Sequence, residues 1–328
     1  MSASGPRGLS PRYNRAMAPT PPRHIFDLIG NTPLVELTHL APRPGVRIFA
    51  KLEGANPGGS VKDRIVLAMI EEAEREGTLK PGATIVEAST GNTAIALALV
   101  GGQKGYGVHV VMPKGVVASV PDILRLYGAE ITWCESEGGM RRAVETAHEI
   151  AGSTGAYVLG QFTKQANVEA HYETTGVEIA DALERVDVFV AGLGTGGTIM
   201  GVGRRLRERF PNVRVVGVEA VLGDHLQGLR SLAEGYLPPL LDLKQLDGRY
   251  LVDSASAIRT VRRVIEAEGI LAGVSSGATL HTAFRVAEGM DRGNIVVMFS
   301  DGGWKYLPSH PWDAAERGDE ALNEVYWW

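Results

Sequence analysis

The sequence predicts an α/β protein with mainly parallel sheets, and three observations carry that prediction. Short β-branched runs alternate with longer stretches at helical spacing, as strand–helix–strand crossovers require. Several of the runs are apolar almost throughout, the pattern of strands covered on both faces rather than one. The length of 328 residues suits about two domains. The strand runs are Arg47–Lys51, Thr84–Ala88, Val108–Met112, Glu130–Trp133, Val186–Ala191, Val213–Glu219 and Ile295–Ser300. Between them, Ile65–Glu76, Thr93–Gly101, Val120–Tyr127 and Gly139–Ala151 place apolar residues at helical spacing.

Composition narrows the function classes. Hydrophobic residues make up 44% and charged residues 22%, with a net charge of -5, an ordinary globular balance. No basic excess marks a nucleic-acid or membrane surface, and no apolar stretch approaches the ~20 residues of a membrane span. Cys134 is the single cysteine, which excludes an internal disulfide and a multi-cysteine metal centre; no metal site is expected. It lies in the apolar run Ile131-Thr-Trp-Cys134 and is expected to be a buried core thiol. Residues 1–23 are rich in Pro, Ser, Arg and Gly without a hydrophobic centre, so a disordered leader is expected rather than a secretory signal. Met17 is an alternative start, and a cytoplasmic enzyme is the default expectation.

In such sheets ligands bind beyond the carboxyl ends of strands, which directs attention to four loops. Gly192-Leu-Gly-Thr-Gly-Gly-Thr198 follows a strand and precedes a helix. Its glycines and the helix amides suit a phosphate, with Thr195 and Thr198 adding hydroxyls. The same glycines satisfy a dinucleotide fingerprint, and Glu219 stands where a ribose-binding acid would, so an NAD-dependent oxidoreductase is the rival reading. Asn56-Pro-Gly-Gly-Ser-Val-Lys-Asp-Arg64 breaks the chain before a helix for which Ser60 is the expected N-cap. Lys62 then opens that helix, where a cation opposes the dipole; a lysine so placed beside a phosphate site suits an imine with a carbonyl cofactor. Glu87-Ala-Ser-Thr-Gly-Asn-Thr93 gathers three hydroxyls and an amide at another helix start, suited to a carboxylate or simply to capping. Gly273-Val-Ser-Ser-Gly-Ala278 offers neutral hydroxyls, which can serve a pyridine nitrogen without protonating it.

Together these segments resemble the cysteine synthases, members of the fold type II pyridoxal-phosphate enzymes. The likeness runs from Asp27-Leu-Ile-Gly-Asn-Thr-Pro-Leu34 to Gly302-Gly-Trp-Lys-Tyr306, and includes Gln161-Phe162 and His171-Tyr-Glu-Thr-Thr-Gly176. The resemblance implies pyridoxal 5'-phosphate held covalently by Lys62. Its phosphate would lie on Gly194, Thr195, Gly196, Gly197 and Thr198. Asn92 would meet the ring hydroxyl and Ser275 the ring nitrogen. Ser89, Thr90, Thr93 and Gln161 would hold the substrate carboxylate. In that frame Glu219 is a strand-end residue.

The implied reaction is β-replacement on an O-activated serine, with Lys62 moving the Cα proton and a sulfur nucleophile adding at Cβ. The implied architecture is two three-layer domains, tryptophan synthase β-like, usually in a homodimer. The smaller, mobile domain would comprise 24–33 and 56–167, and the larger 34–55 and 168–328. The segment Gln227-Gly-Leu-Arg-Ser-Leu-Ala-Glu-Gly-Tyr-Leu-Pro238 looks more like the cysteine synthase B branch, whose O-phosphoserine-using members place an arginine where Arg230 stands. Some of that branch take sulfur from a small thiocarboxylate carrier protein, and O-acetylserine sulfhydrylases are similar too. Two departures stand out. The family's Thr-Ser-Gly-Asn-Thr-Gly reads Ser89-Thr-Gly-Asn-Thr-Ala94, and its Ser-x-Glu-Arg-Arg reads Ser119-Val-Pro-Asp-Ile123. They leave room for a specialised enzyme making another β-substituted alanine. A non-catalytic binding or regulatory homologue is opposed by intact Lys62, Asn92 and Ser275. Its support is the acidic tail ending Val325-Tyr-Trp-Trp328.

Overall fold

The apolar runs pair into two separate sheets. The structure is a computed structural model that describes residues 22–309 apart from 115, 136–138, 225 and 230. Most of the expected leader, the terminal aromatics and Arg230 therefore lie outside the described residues.

One sheet has six strands in the order β1-β2-β10-β7-β8-β9. These are β1 (Leu34–Glu36), β2 (Val46–Leu52), β7 (Val188–Gly192), β8 (Arg214–Ala220), β9 (Gly248–Val252) and β10 (Gly293–Phe299). All its pairings are parallel except β1 with β2. The other sheet is wholly parallel, in the order β5-β4-β3-β6. It comprises β3 (Thr84–Ala88), β4 (Gly107–Pro113), β5 (Glu130–Cys134) and β6 (Tyr157–Val158). Every strand run read from the sequence falls on one of these; β1, β6 and β9 are additions. The β9 run is short and buried only on alternate residues, as suits the edge of a sheet.

Helices cover both faces of each sheet. Along β10, Ile295 and Val297 join a core with α8 (Ser254–Glu268) and α9 (Val274–Glu288), whereas Val296 and Met298 join one with α6 (Gly176–Ala182) and α7 (Gly197–Arg209). In the smaller sheet Ile85, Val108 and Val110 pack against α1 (Lys62–Arg75), α2 (Asn92–Gln103) and α3 (Ser119–Leu126). Val86, Ala88 and Val111 face α4 (Gly139–Thr154), with Cys134 buried among them as expected. This two-sided burial is why the strands read as continuous apolar runs. A short α5 (Ala166–Ala170) passes through a π-turn at His171–Thr175 into α6. Among the described residues, no helix is long and apolar enough to cross a membrane.

Candidate active site

The loops leaving β3, β6, β7 and β10 are hydrogen-bonded to one another, which brings the carboxyl ends of these strands to one region. The loop before α1 is stitched there: Val61 N donates to Ser300 O (2.8 Å), Gly302 N donates to Gly59 O (3.2 Å), and Ser60 bridges Asp301. Ser60 is not the formal cap; Val61 precedes the helix, and Ser60 Oγ accepts from Lys62 N at 3.2 Å. Two residues beyond Lys62, the buried Arg64 guanidinium grips Glu53 (2.7 Å) and Glu178 (2.6 Å), which fixes the start of α1. Lys62 is partly buried, and its amine has no hydrogen-bond partner among the described residues. Burial pushes its pKa down to about 8, against the opposing pull of the Asp301 carboxylate. Roughly a tenth of the amine is therefore neutral and nucleophilic at pH 7, far more than for an ordinary lysine.

Asp301, immediately beyond β10, is a residue the sequence reading missed. Its Oδ2 accepts from Asn92 Nδ2 (2.8 Å), Lys305 Nζ (2.9 Å) and the Tyr306 hydroxyl. Lys305 Nζ also donates to Asn92 Oδ1 at 2.5 Å. Lys305 and Asp301 are both fully buried, so neither charge has water as an alternative partner. The ammonium requires the amide oxygen of Asn92 and the carboxylate requires its N–H, which fixes the flip of the amide. Asn92 also hydrogen-bonds the Tyr306 hydroxyl. Burial, and then the Asp301 charge, push the Tyr306 phenol well above its usual range. The signal in the sequence was an acid directly after the apolar run Ile295–Ser300, in a segment recognised only by its likeness.

The glycine loop Gly192–Thr198 joins β7 to α7. Gly196 has φ +90 at the helix entry, a conformation side chains resist. Thr195 Oγ1 accepts from Gly197 N (3.3 Å) and from Asn167 Nδ2 (3.1 Å). Asn167 packs so tightly that a Cβ on Gly197 would overlap its side chain. Thr198 Oγ1 lies 3.1 Å from His171 Nε2, and His171 Nδ1 lies 3.0 Å from Thr175 Oγ1 within the π-turn. Desolvation first, then the Lys62 and Arg64 charges, hold this imidazole neutral, well below its ordinary pKa. Glu219, the acid of the dinucleotide alternative, is engaged elsewhere. It accepts from Leu232 N (2.9 Å) and pairs with Arg249 (3.2 Å).

The turn after β3 carries the remaining polar groups. Ser89 Oγ accepts from Ala94 N (3.2 Å) and Gly91 N (3.4 Å), so it serves as a cap for α2, with its hydroxyl proton still to place. Thr93 Oγ1 donates to Gln161 Oε1 at 2.7 Å, and Gln161 Nε2 donates to Glu87 Oε1 at 3.2 Å. Glu87 Oε2 accepts from Gly160 N at 2.8 Å. Burial pushes Glu87 up to about 7, its amide donors opposing. Thr90 is buried in the same turn. Asn167 Nδ2 donates to Gln161 O (2.7 Å) as well as to Thr195, tying this turn to the glycine loop. Ser275 lies buried in the first turn of α9. Hydrogen bonds thus join Asn92 to the end of β10, and Thr93 through Gln161 and Asn167 to Thr195 of the glycine loop.

The family of pyridoxal-phosphate dependent enzymes matches residues 25–301. The cysteine synthase of Staphylococcus aureus is 40% identical over 301 residues, covering 89% of this chain and 97% of that protein. The cysteine synthase B of Pseudomonas aeruginosa is 39% identical over 290 residues, covering 88% and 97%. Among solved structures, an O-ureido-L-serine synthase superposes with a TM-score of 0.85 at 37% identity, over 91% of this chain and 97% of its own. A hydrogen sulfide-producing enzyme from Fusobacterium nucleatum gives 0.83 at 39%, over 87% and 100%. With a desolvated lysine, a glycine loop at a helix start and a match over most of its length, this chain belongs to the pyridoxal-phosphate dependent enzymes.

Proposed function

We propose that the protein catalyses β-replacement of the cysteine synthase type. It would make L-cysteine or a close analogue from an O-activated serine, with O-phosphoserine as electrophile and sulfide or a carrier-protein thiocarboxylate as sulfur donor. The observation that carries the reading is the downshifted Lys62 amine, held beside Asp301 and the oriented amide of Asn92. The residues present fit the cofactor: a nucleophilic amine for its aldehyde, helix-start amides with Thr195 and Thr198 for its phosphate, and the Asn92 amide for its ring hydroxyl. Ser275 would face the ring nitrogen as a neutral hydroxyl. When bound, the cofactor supplies an electron sink for the substrate's Cα.

The chain's own residues then divide the labour. Lys62 would hold the cofactor, and its amine would take the proton from Cα and return it to the product. The amides of the turn after β3, with Ser89, Thr90, Thr93 and Gln161, bind the α-carboxylate. Residues 24–33 and 56–167 would form the domain that closes and excludes water; the all-parallel sheet within that span supports the division. A cytoplasmic homodimer belongs to the same reading.

Arg230 would select the phosphorylated substrate, since a guanidinium grips phosphate bidentately and an acetyl ester offers it no charge. Arg230→Ala should then lose roughly 2–4 kcal/mol of selectivity for O-phosphoserine, with O-acetylserine far less affected. The ratio of the two specificity constants isolates the contact from general damage. A second reading, a specialised β-substituted alanine synthase, is favoured by the exchanged Ser89-Thr90, by Ala94 and by the likeness to an O-ureido-L-serine synthase. Rapid mixing of the holoenzyme with O-phosphoserine, O-acetylserine, serine and threonine, monitored by cofactor absorbance, decides between them. A holoenzyme blind to O-phosphoserine overturns the substrate assignment.

A further inference from the structure

Residues 226–229, between β8 and β9, run past three of the loops described above. Leu229 packs onto Gly192, where a Cβ would overlap it, and Gly228 O lies 3.0 Å from where a Cβ on Gly194 would stand. Gly228 sits beside Ser275, with 3.6 Å from its would-be Cβ to Ser275 Oγ. Gln227 Nε2 lies only 2.5 Å from where a Cβ on Gly91 would be, between Thr90 and Asn92 in the turn after β3.

Gln227 is 4% exposed, yet neither its Oε1 nor its Nε2 has a hydrogen-bond partner among the described residues. Ser231 Oγ, further along the same segment, is also buried and unpartnered. A buried amide with both ends unpaired destabilises the fold, because each end has lost its water without gaining a partner. A glutamine kept only for packing would give way to leucine or methionine. A dry, doubly unpaired amide against a ligand-binding turn is the mark of a group whose partner arrives with the ligand.

We propose that Gln227 is a specificity residue whose amide hydrogen-bonds the oxygen-bearing substituent on Cβ of the bound amino acid. The inference rests on the β-replacement reading above. The carboxylate already has its donors in Ser89, Thr93, Gln161 and the α2 amides, and the ring side has Asn92 and Ser275. Gln227 approaches Gly91 from the opposite sheet, on the segment that also carries Arg230. A neutral amide offers one acceptor and two N–H donors, a match for ester, carbamoyl or phosphoryl oxygens.

The test compares O-acetyl-L-serine with 3-chloro-L-alanine, whose chloride leaving group presents no oxygen. Wild type and Gln227→Leu holoenzymes are mixed with each, and the rate and saturation of the cofactor absorbance change are measured. Cofactor dissociation and melting temperature are measured alongside. For O-acetylserine the variant should lose about 10-fold or more in the ratio of rate to saturation constant, the scale of a lost buried hydrogen bond. For 3-chloroalanine it should change less than about twofold, with cofactor affinity intact and melting temperature unchanged or raised. As a second variant, Gln227→Glu should repel O-phosphoserine more than O-acetylserine. Equal losses on both probes would assign the contact to the carboxylate or amine, and weakened cofactor binding would assign it to the cofactor. Either result, or no change at all, overturns the proposal. A wild type that responds to neither probe nor to O-phosphoserine overturns the β-replacement reading, and this inference with it.

Discussion

The two sides of the site are built from different chemistry. At the end of β10, Asp301, Lys305, Asn92 and Tyr306 form a closed, buried set whose charges satisfy one another. In the turn after β3 the contacts are hydroxyls and amides, with Glu87 as the buried acid among them. A matched buried ion pair has few alternatives, since separating it strands a charge away from water, so its members are oriented before any ligand arrives. Neutral contacts such as Thr93 to Gln161 can be exchanged for a carboxylate at little net cost, because each is worth only about 1 kcal/mol. The site therefore pairs a rigid half with a half able to trade partners.

Four experiments break or sharpen that contrast. The largest effect is expected from Lys62→Ala, which should abolish covalent cofactor attachment and reduce turnover at least about 100-fold. Borohydride reduction and peptide mapping of the wild type check the assignment; label on any other lysine would sink it. Next, Lys305→Met strands the Asp301 carboxylate and should cost about 3–5 kcal/mol of folding stability. Adding Asp301→Asn should recover part of that loss, as denaturant unfolding of the three proteins would reveal. If the double variant is no more stable than the single one, the rigid half is not held by charge.

A third effect depends on pH. Burial raises the folded-state pKa of Glu87 from 4.5 to about 7, so the folded protein resists its ionisation. The sign follows: stability falls as pH rises between these values, and the full penalty applies above about 7. Glu87→Gln should then stabilise the protein at pH 8 by on the order of 3 kcal/mol, with the gain fading toward pH 4.5. Unfolding curves at pH 5 and pH 8 check it, and an equal gain at both would refute the assignment. The smallest effect is expected from Gln161→Ala. It should slow reaction with the O-activated serine about 10-fold and leave the spectrum of the resting holoenzyme unchanged. A shifted resting spectrum would mean that the exchangeable half is not independent of the rigid one.

The contrast also explains what could be read in advance. Apolar runs and helix starts are local, so the strand candidates, the glycine loop and Lys62 at the head of α1 were legible from spacing alone. The rigid half was not, because Asn92 meets Asp301 across 209 positions and Lys305 across 213. No local pattern encodes such a pairing, and a lysine near the end of a chain reads as solvated surface. Gln227 was hidden for the same reason, its neighbour Gly91 lying in the other sheet. Ser89 could be read either as a cap or as a ligand donor; its oxygen caps α2, which leaves its hydroxyl proton for the other role. The short β6 was invisible because two residues carry no periodicity.

The position of β10 also bears on how the chain assembles. β10 lies between β2 and β7, so a strand near residue 50 has only the three-residue β1 beside it until residues 293–299 exist. The four-stranded sheet, by contrast, is complete by Val158. During synthesis its contacts close over short chain distances, while β2 must wait for a loop of more than two hundred residues to be brought together. The half that trades partners should fold first, and the half that fixes the lysine should form last, when β10 inserts. Pulse-labelled hydrogen exchange during refolding would then protect amides of β3 and β4 before those of β2 and β10. An unfinished chain would hold a folded substrate turn with no amine in place to act on what it binds.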